Sequence, residues 1–241
     1  MIEGKGVRTV LVMGASSDIG LAVCRRYLSA GWRVIGHFRT WRVELEEFQD
    51  AAFEGWQADF ADTAKLEASL KKEAAFFERA DVLVNLAADY RQARFETASA
   101  SEMLRALALN LVPGMLVTRT VGRAMVKRGF GRIVHASSIG VKFGGGSGSF
   151  CYSLSKHAQE FIPRSCRGWA KNNVFVNVLR IGVTNTRIHD PVPGKDMAAR
   201  VKLIPAGRAA APAEIAEAVF WFGSDTNGYC TGQVIDLAGG E

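Results

Sequence analysis

Tyr152-Ser153-Leu154-Ser155-Lys156 places a phenol and an ammonium four residues apart. In a helix that spacing brings both groups to one face. A free phenol titrates near pH ~10 and is a poor acid or base at neutrality, but a nearby positive charge favours its phenolate. Ser137-Ser138 close an apolar run upstream and lead through a loop to Tyr152. A hydroxyl there can bond a substrate oxygen as charge develops on it. Such a set suits proton transfer to a carbonyl oxygen, or from an alcohol.

The N-terminal segment offers a place for a nucleotide. Gly14-Ala15-Ser16-Ser17-Asp18-Ile19-Gly20 lies between an apolar, β-branched run and a helical pattern. Small residues let the backbone approach a pyrophosphate, and the helix N-terminus presents unpaired N–H groups and partial positive charge. Gly20 permits close helix–strand packing, and Asp18 is expected to cap the helix. The next strand ends His37-Phe38-Arg39-Thr40 with no acid to bond a ribose 2′-OH. Arg39 instead offers a guanidinium to a 2′-phosphate, and Thr40 adds a hydroxyl. NADP(H) is therefore favoured over NAD(H). The second glycine-rich run, 144–149, lies too far down the chain for this role and reads as a mobile loop.

Those residues need elements to position them. Apolar runs predict strands at 7–13, 33–38, 55–58, 81–87, 132–138, 174–179 and 233–237. Helical spacing predicts helices at 19–30, 41–53, 63–78, 101–127, 151–171 and 212–223, with Pro113-Gly114 interrupting the fourth and Pro163 kinking the fifth. Strands alternating with helices imply βαβ units. The expected fold class is α/β: a single-domain, Rossmann-type, doubly wound parallel sheet of about seven strands with helices on both faces. No linker divides the chain, so residues 1–241 read as one domain.

The whole series resembles the short-chain dehydrogenase/reductase family. The resemblance runs through the glycine turn at 14–20, Ala58-Asp59-Phe60, Asn85-Leu86-Ala87-Ala88, Asn110, Ser138, Tyr152, Lys156, Gly207-Arg208, Pro212-Ala213-Glu214-Ile215-Ala216 and Thr231-Gly232-Gln233-Val234-Ile235. It implies a hydride transfer between a nicotinamide and a ketone or secondary alcohol. It also implies roles. Tyr152 is the acid/base, Lys156 holds the nicotinamide ribose, Ser138 polarises the carbonyl, and Asn110 holds a water leading to Lys156. Cofactor contacts are implied for Gly14, Ser16, Ser17, Asp18, Ile19, Gly20, Asp59, Phe60, Asn85, Ala87, Gly182 and Thr186. Ser137 is the alternative to Ser138, because the loop to Tyr152 is one residue longer than the family spacing. Departures from the family pattern are Asp18 for a glycine, Asn85-Leu86-Ala87-Ala88, Ile181-Gly182 for Pro-Gly, and Pro163.

Bulk properties bound the rest. Lys and Arg number 30 against 24 acids, a net charge of +6, yet the basic residues are scattered, which disfavours nucleic acid. No apolar run reaches the ~20 residues of a membrane span. Four dispersed cysteines (Cys24, Cys151, Cys166 and Cys230) suggest neither a metal site nor disulfides, hence a cytoplasmic protein. The family resemblance implies a homotetramer or homodimer built on the 101–127 and 151–171 helices. A substrate lid is expected at about 183–206, including Pro191 and Pro193. Ile204-Pro205-Ala206-Gly207-Arg208 resembles 3-oxoacyl-carrier-protein reductases, and Lys127, Arg128, Arg132 and Lys171 could meet an acidic carrier. The first reading is thus a ketone or 3-oxoacyl-thioester reductase, and the alternative a dehydrogenase of a sugar, sterol or other secondary alcohol. A pteridine reductase, suggested by the basic His37-Phe38-Arg39, and a non-catalytic NADP(H) sensor are weaker alternatives.

Overall fold

The run Thr9-Val10-Leu11-Val12-Met13 forms strand β1 (Thr9–Met13), buried along its whole length. Side chains alternate across a strand. Val10 and Val12 therefore enter one core, and Leu11 and Met13 enter another. The computed structural model describes residues 6–49, 52–187 and 197–241. After β1 come α1 (Asp18–Ser29), β2 (Arg33–Phe38), β3 (Phe53–Gln57), α2 (Thr63–Lys72), α3 (Ala74–Glu78) and β4 (Val82–Asn85). Then follow α4 (Ala100–Asn110), α5 (Val112–Arg128), β5 (Gly131–Ser138), α6 (Phe150–Ala158) and α7 (Arg164–Gly168). The chain closes with β6 (Val174–Ile181), α8 (Met197–Lys202), α9 (Pro212–Phe222) and β7 (Val234–Leu237).

Among the described residues, seven parallel strands pair in the order β3-β2-β1-β4-β5-β6-β7. Leu21 and Tyr27 of α1 and Ile215 and Val219 of α9 cover one face. Leu66, Phe77, Val117, Val121 and Met125, from α2, α3 and α5, cover the other. This is the expected doubly wound sheet. Strand order reverses between β1 and β4, and sheets of this kind bind ligands outside the strand carboxyl ends at such a reversal.

Several helices differ from expectation. Among the described residues of 41–53 only a short 3-10 turn forms, Val43–Phe48, and Phe53 pairs with Val34 as the start of β3. The 63–78 helix breaks at Glu73, whereas the 101–127 helix is interrupted as expected, at Leu111, with Pro113 in the first turn of α5. Proline lacks an N–H and suits a helix start. The 151–171 helix ends at Ala158, and Pro163 (φ −54, ψ 145) caps α7. Pro163 therefore divides that helix instead of kinking it, because its ring would clash with a carbonyl one turn earlier.

Gly20 brings α1 against β1. A Cβ there would lie 2.1 Å from the Gly14 carbonyl oxygen and 2.8 Å from Ala15 Cα. Backbone cannot yield as a side-chain tip can. Gly20→Ala is expected to cost about 2 kcal/mol of stability, read as a lower urea midpoint; an unchanged midpoint would show that the turn can shift.

Candidate active site

The carboxyl ends of the central strands open into a cleft of about 1000 Å³. Its nucleotide-facing wall begins with the turn after β1. Gly14 has φ +82, and a Cβ there would sit 3.1 Å from Ala87 N. Only glycine lets the turn pass this close to the chain leaving β4. Ser17, not Asp18, caps α1: its backbone is extended, and its Oγ accepts from Gly20 N at 3.0 Å. Asp18 begins the helix and turns its carboxylate outward to Arg187. The Arg187 backbone N–H donates to Asp18 Oδ2 at 2.7 Å and its Nε donates to Oδ1 at 2.8 Å. Arg187 also reaches Glu44 at 2.6 Å. Partial burial would raise the Asp18 pKa, but the Arg187 hydrogen bonds and charge hold it below its ordinary value.

These features fit a dinucleotide. Ser16, Ser17, Asp18 and Ile19 line the cleft, where the first N–H groups of a helix have no intrahelical acceptor. Arg187 neutralises the acid that would otherwise repel a phosphate. Arg39 and Thr40 are exposed at the end of β2 and also line the cleft. The Arg39 guanidinium makes no hydrogen bond or ion pair among the described residues. Asp59 and Phe60 border the same wall, with Asp59 Oδ1 accepting from Ala61 N at 2.9 Å.

The opposite wall carries the polar set. Tyr152 is half-buried, with the Tyr90 ring edge-on at 5.2 Å. Burial first, and Tyr90 second, push the Tyr152 phenol up to about 12. Lys156 is buried, and its Nζ lies 5.8 Å from the Tyr152 ring centroid. Burial pushes the Lys156 ammonium down to about 8. The phenol is thus protonated at neutral pH, where the ammonium-only argument from sequence favours phenolate.

Strand register separates the two serines. Ser137 is buried, and its Oγ donates to the Lys156 carbonyl at 3.1 Å and to Glu160 Oε1 at 2.8 Å. Both serines border the cleft, but Ser138 points the other way, and its Oγ accepts from Gly140 N at 3.3 Å. Its hydroxyl proton remains available.

Two asparagines lie outside the cleft lining. Asn85 is buried beneath the floor that Leu86, Ala87 and Ala88 form. Asn110 is also buried. Its Oδ1 accepts from Asp89 N at 2.7 Å, and its Nδ2 donates to the Asp89 carbonyl and to Ser155 Oγ. That amide ties α4 to the β4 loop and α6. Gly20 serves packing, as described above. Gly182 lines the cleft and packs on Ala238, where a Cβ would come within 2.6 Å of Cα. Thr186 lines it too, donating to the Thr184 carbonyl at 3.4 Å.

Other residues enter the site unannounced by motif. His37 accepts from Gly14 N at Nδ1 and donates from Nε2 to the Ala58 carbonyl, stacked 3.9 Å from Phe60. Burial pushes it down to about 4, so His37 is neutral and Arg39 carries the charge of this strand end. Arg42, Tyr90, Gln92 and Arg200 also line the cleft. The 144–149 segment is held, not loose: Ala93 N donates to the Gly148 carbonyl and Phe150 N to the Ala93 carbonyl, both at 3.0 Å. It walls the substrate end with Ser147 and Ser149. Of the expected lid, Pro191 and Pro193 lie outside the described residues, and Met197–Lys202 forms α8. The expected basic carrier patch is reduced. Arg132 is buried between Phe130 and Phe175, and Arg128 bonds the Glu78 and Ala80 carbonyls.

The chain is similar to known oxidoreductases. Residues 14–241 match a family model described as enoyl-(acyl carrier protein) reductase. The acetoacetyl-CoA reductase of Acinetobacter sp. (strain RA3849) is 32% identical, over 97% of this chain and 97% of that protein. The 3-oxoacyl-(acyl-carrier-protein) reductase of Escherichia coli (strain K12) is 30% identical, over 99% of this chain and 97% of its own. A solved structure of a putative NAD(P)-dependent gluconate 5-dehydrogenase from Beutenbergia cavernae, with NADP bound at low occupancy, superposes with a TM-score of 0.88. It is 33% identical and covers 96% of this chain and 95% of its own.

Proposed function

This chain belongs to the short-chain dehydrogenase/reductase family, and on that premise we propose that it is a single-domain, NADP(H)-dependent reductase of ketones, 3-oxoacyl thioesters among them. It is an oxidoreductase acting on CH–OH and C=O groups. One observation carries the finer reading: Ser138, Tyr152 and Lys156 face the same cleft as the glycine turn and Arg39.

Bound NADPH supplies the hydride. Ser138 Oγ donates to the carbonyl oxygen and orients it. The Tyr152 hydroxyl gives its proton to that oxygen as negative charge develops. Lys156 holds the nicotinamide ribose, and its charge eases loss of the phenol proton. The Gly14–Gly20 turn and Thr186 hold the pyrophosphate and carboxamide ends, and Arg39 and Thr40 take the 2′-phosphate.

The test is absorbance of NADPH, with NADH in parallel, as the protein meets an acetoacetyl thioester. Rapid loss with NADPH alone is the expected result; loss with neither moves the substrate to another ketone or alcohol. The pH profile has a defined direction. Reduction needs a charged Lys156, whose proton is lost as pH rises through about 8. Tyr152, pushed up to about 12, keeps its proton there. The turnover rate is therefore expected to fall above about pH 8, and a profile flat to pH 10 would contradict this role of Lys156.

A second reading, oxidation of a polyol or sugar acid, is favoured by the polar substrate end formed by Tyr90, Gln92, Ser147, Ser149 and Ser153. Free cysteines fit a reducing, cytoplasmic setting. The stretch Ala100–Arg128 is long and apolar enough to cross a membrane by length and composition. Val117, Val121 and Met125 pack on the sheet, while Leu104 on α4 is 67% exposed. We read its outward face as the contact between copies in a homodimer or homotetramer; elution as a stable monomer would count against that.

A further inference from the structure

A buried ammonium carries three donors and needs acceptors for them. Lys156 Nζ donates to the Ala136 carbonyl at 2.7 Å and to Gln159 Oε1 at 3.2 Å. Tyr152, Lys156 and Gln159 fall at i, i+4 and i+7 on one side of the chain leaving α6, and Gln159 is 1% exposed. The other end of its amide, Nε2, has no partner among the described residues, nor has Asn85 Oδ1. One is a donor and the other an acceptor. Both amides border Gly114, where a Cβ would lie 2.3 Å from Asn85 Nδ2 and 3.6 Å from Gln159 Nε2. Asn85 Nδ2 donates to His135 Nδ1 at 3.2 Å, and His135 Nε2 donates to Thr118 Oγ1 at 3.3 Å. His135 is pushed down to about 4, by burial and then by Lys156, so it is neutral and has one donor and one acceptor for that chain.

We infer that Gln159 is a positioning residue for Lys156: its amide oxygen and the Ala136 carbonyl take two N–H groups so that the third is aimed at the cleft, while the other end of the amide packs at Gly114 beside Asn85. The inference rests on the role of Lys156 proposed above. The titratable groups around the ammonium are Tyr152 on α6, His135 on β5 and Tyr90 on the loop after β4. Glu160 is engaged by Arg180 of β6 and by Ser137. None of these bonds Nζ among the described residues, so the neutral acceptor at position 159 keeps the buried charge satisfied. An apolar side chain there leaves a donor unpaired in a dry site and favours loss of its proton.

The test is a titration of the protein labelled with 13Cε-lysine, without substrate, with the Lys156 resonance assigned from Lys156→Arg. In Gln159→Leu the midpoint is expected to fall by about one pH unit, and in Gln159→Glu, where a carboxylate replaces the amide, to rise by a similar amount. NADPH binding should weaken several-fold in Gln159→Leu and recover in Gln159→Glu. Midpoints unmoved in both variants would overturn the inference. Should Gln159→Leu not fold, an unmoved midpoint in Gln159→Glu alone overturns it. The titration needs no turnover, so failure of carbonyl reduction would leave its result standing. A working reductase with an unmoved midpoint would remove Gln159 alone.

Discussion

Tyr152→Phe is expected to lower the rate of carbonyl reduction about 1000-fold while leaving the Kd for NADPH within about twofold. The phenol oxygen is the only atom removed. The ring keeps its edge-on contact with Tyr90, and α6 keeps Lys156 in place. Ser138 still binds the carbonyl, so substrate affinity is retained and the loss falls on turnover. Single-turnover kinetics and a fluorescence titration with NADPH separate the two effects. A residual rate within about tenfold of the parent would remove Tyr152 from proton transfer. Lost NADPH binding would instead show that the ring holds the cofactor.

Arg39→Asp is expected to move the NADPH/NADH ratio of kcat/KM about 100-fold toward NADH. Charge-assisted hydrogen bonds contribute about 2–3 kcal/mol, and an aspartate there repels a 2′-phosphate while accepting from a 2′-OH. The change is confined to recognition, because the Arg39 side chain is exposed and bonds nothing among the described residues. Stability should stay within about 0.5 kcal/mol. Arg42 lies close by, with Nη1 3.5 Å from the Ser16 carbonyl, and keeps some positive charge at the site. A ratio that does not move would assign the 2′-phosphate to that neighbour or to none.

Much of the fold was legible because its signals are local. Apolar runs such as 9–13 and 82–85 must be buried on both faces, and the intervening amphipathic segments must cover them. The glycine turn and the Tyr152–Lys156 spacing were legible for the same reason: one strand–turn–helix unit and one helical turn contain them. Helix limits were less so. Pro163 ends a helix that it was expected only to kink, and Phe53 joins β3 because β2 is there to pair with it.

Residue partners were settled by tertiary structure. Adjacent residues Ser137 and Ser138 have the same chemistry, and only the facing of β5 commits the Ser137 proton to Glu160 and leaves the Ser138 proton unbonded among the described residues. Asp18 has a cap's composition, yet Ser17 takes the cap while Arg187, 169 positions away, claims the carboxylate. His37 is basic by composition and neutral by burial. Arg132 looks like surface charge and lies between two aromatic rings. The chain by itself determined which segments become strands and helices and which residue types could carry the chemistry, since those follow from near-neighbour spacing. Which hydroxyl is free and which charge is neutralised were decided only when distant segments met, because hydrogen bonding and desolvation depend on what packs alongside, not on what comes next in the chain.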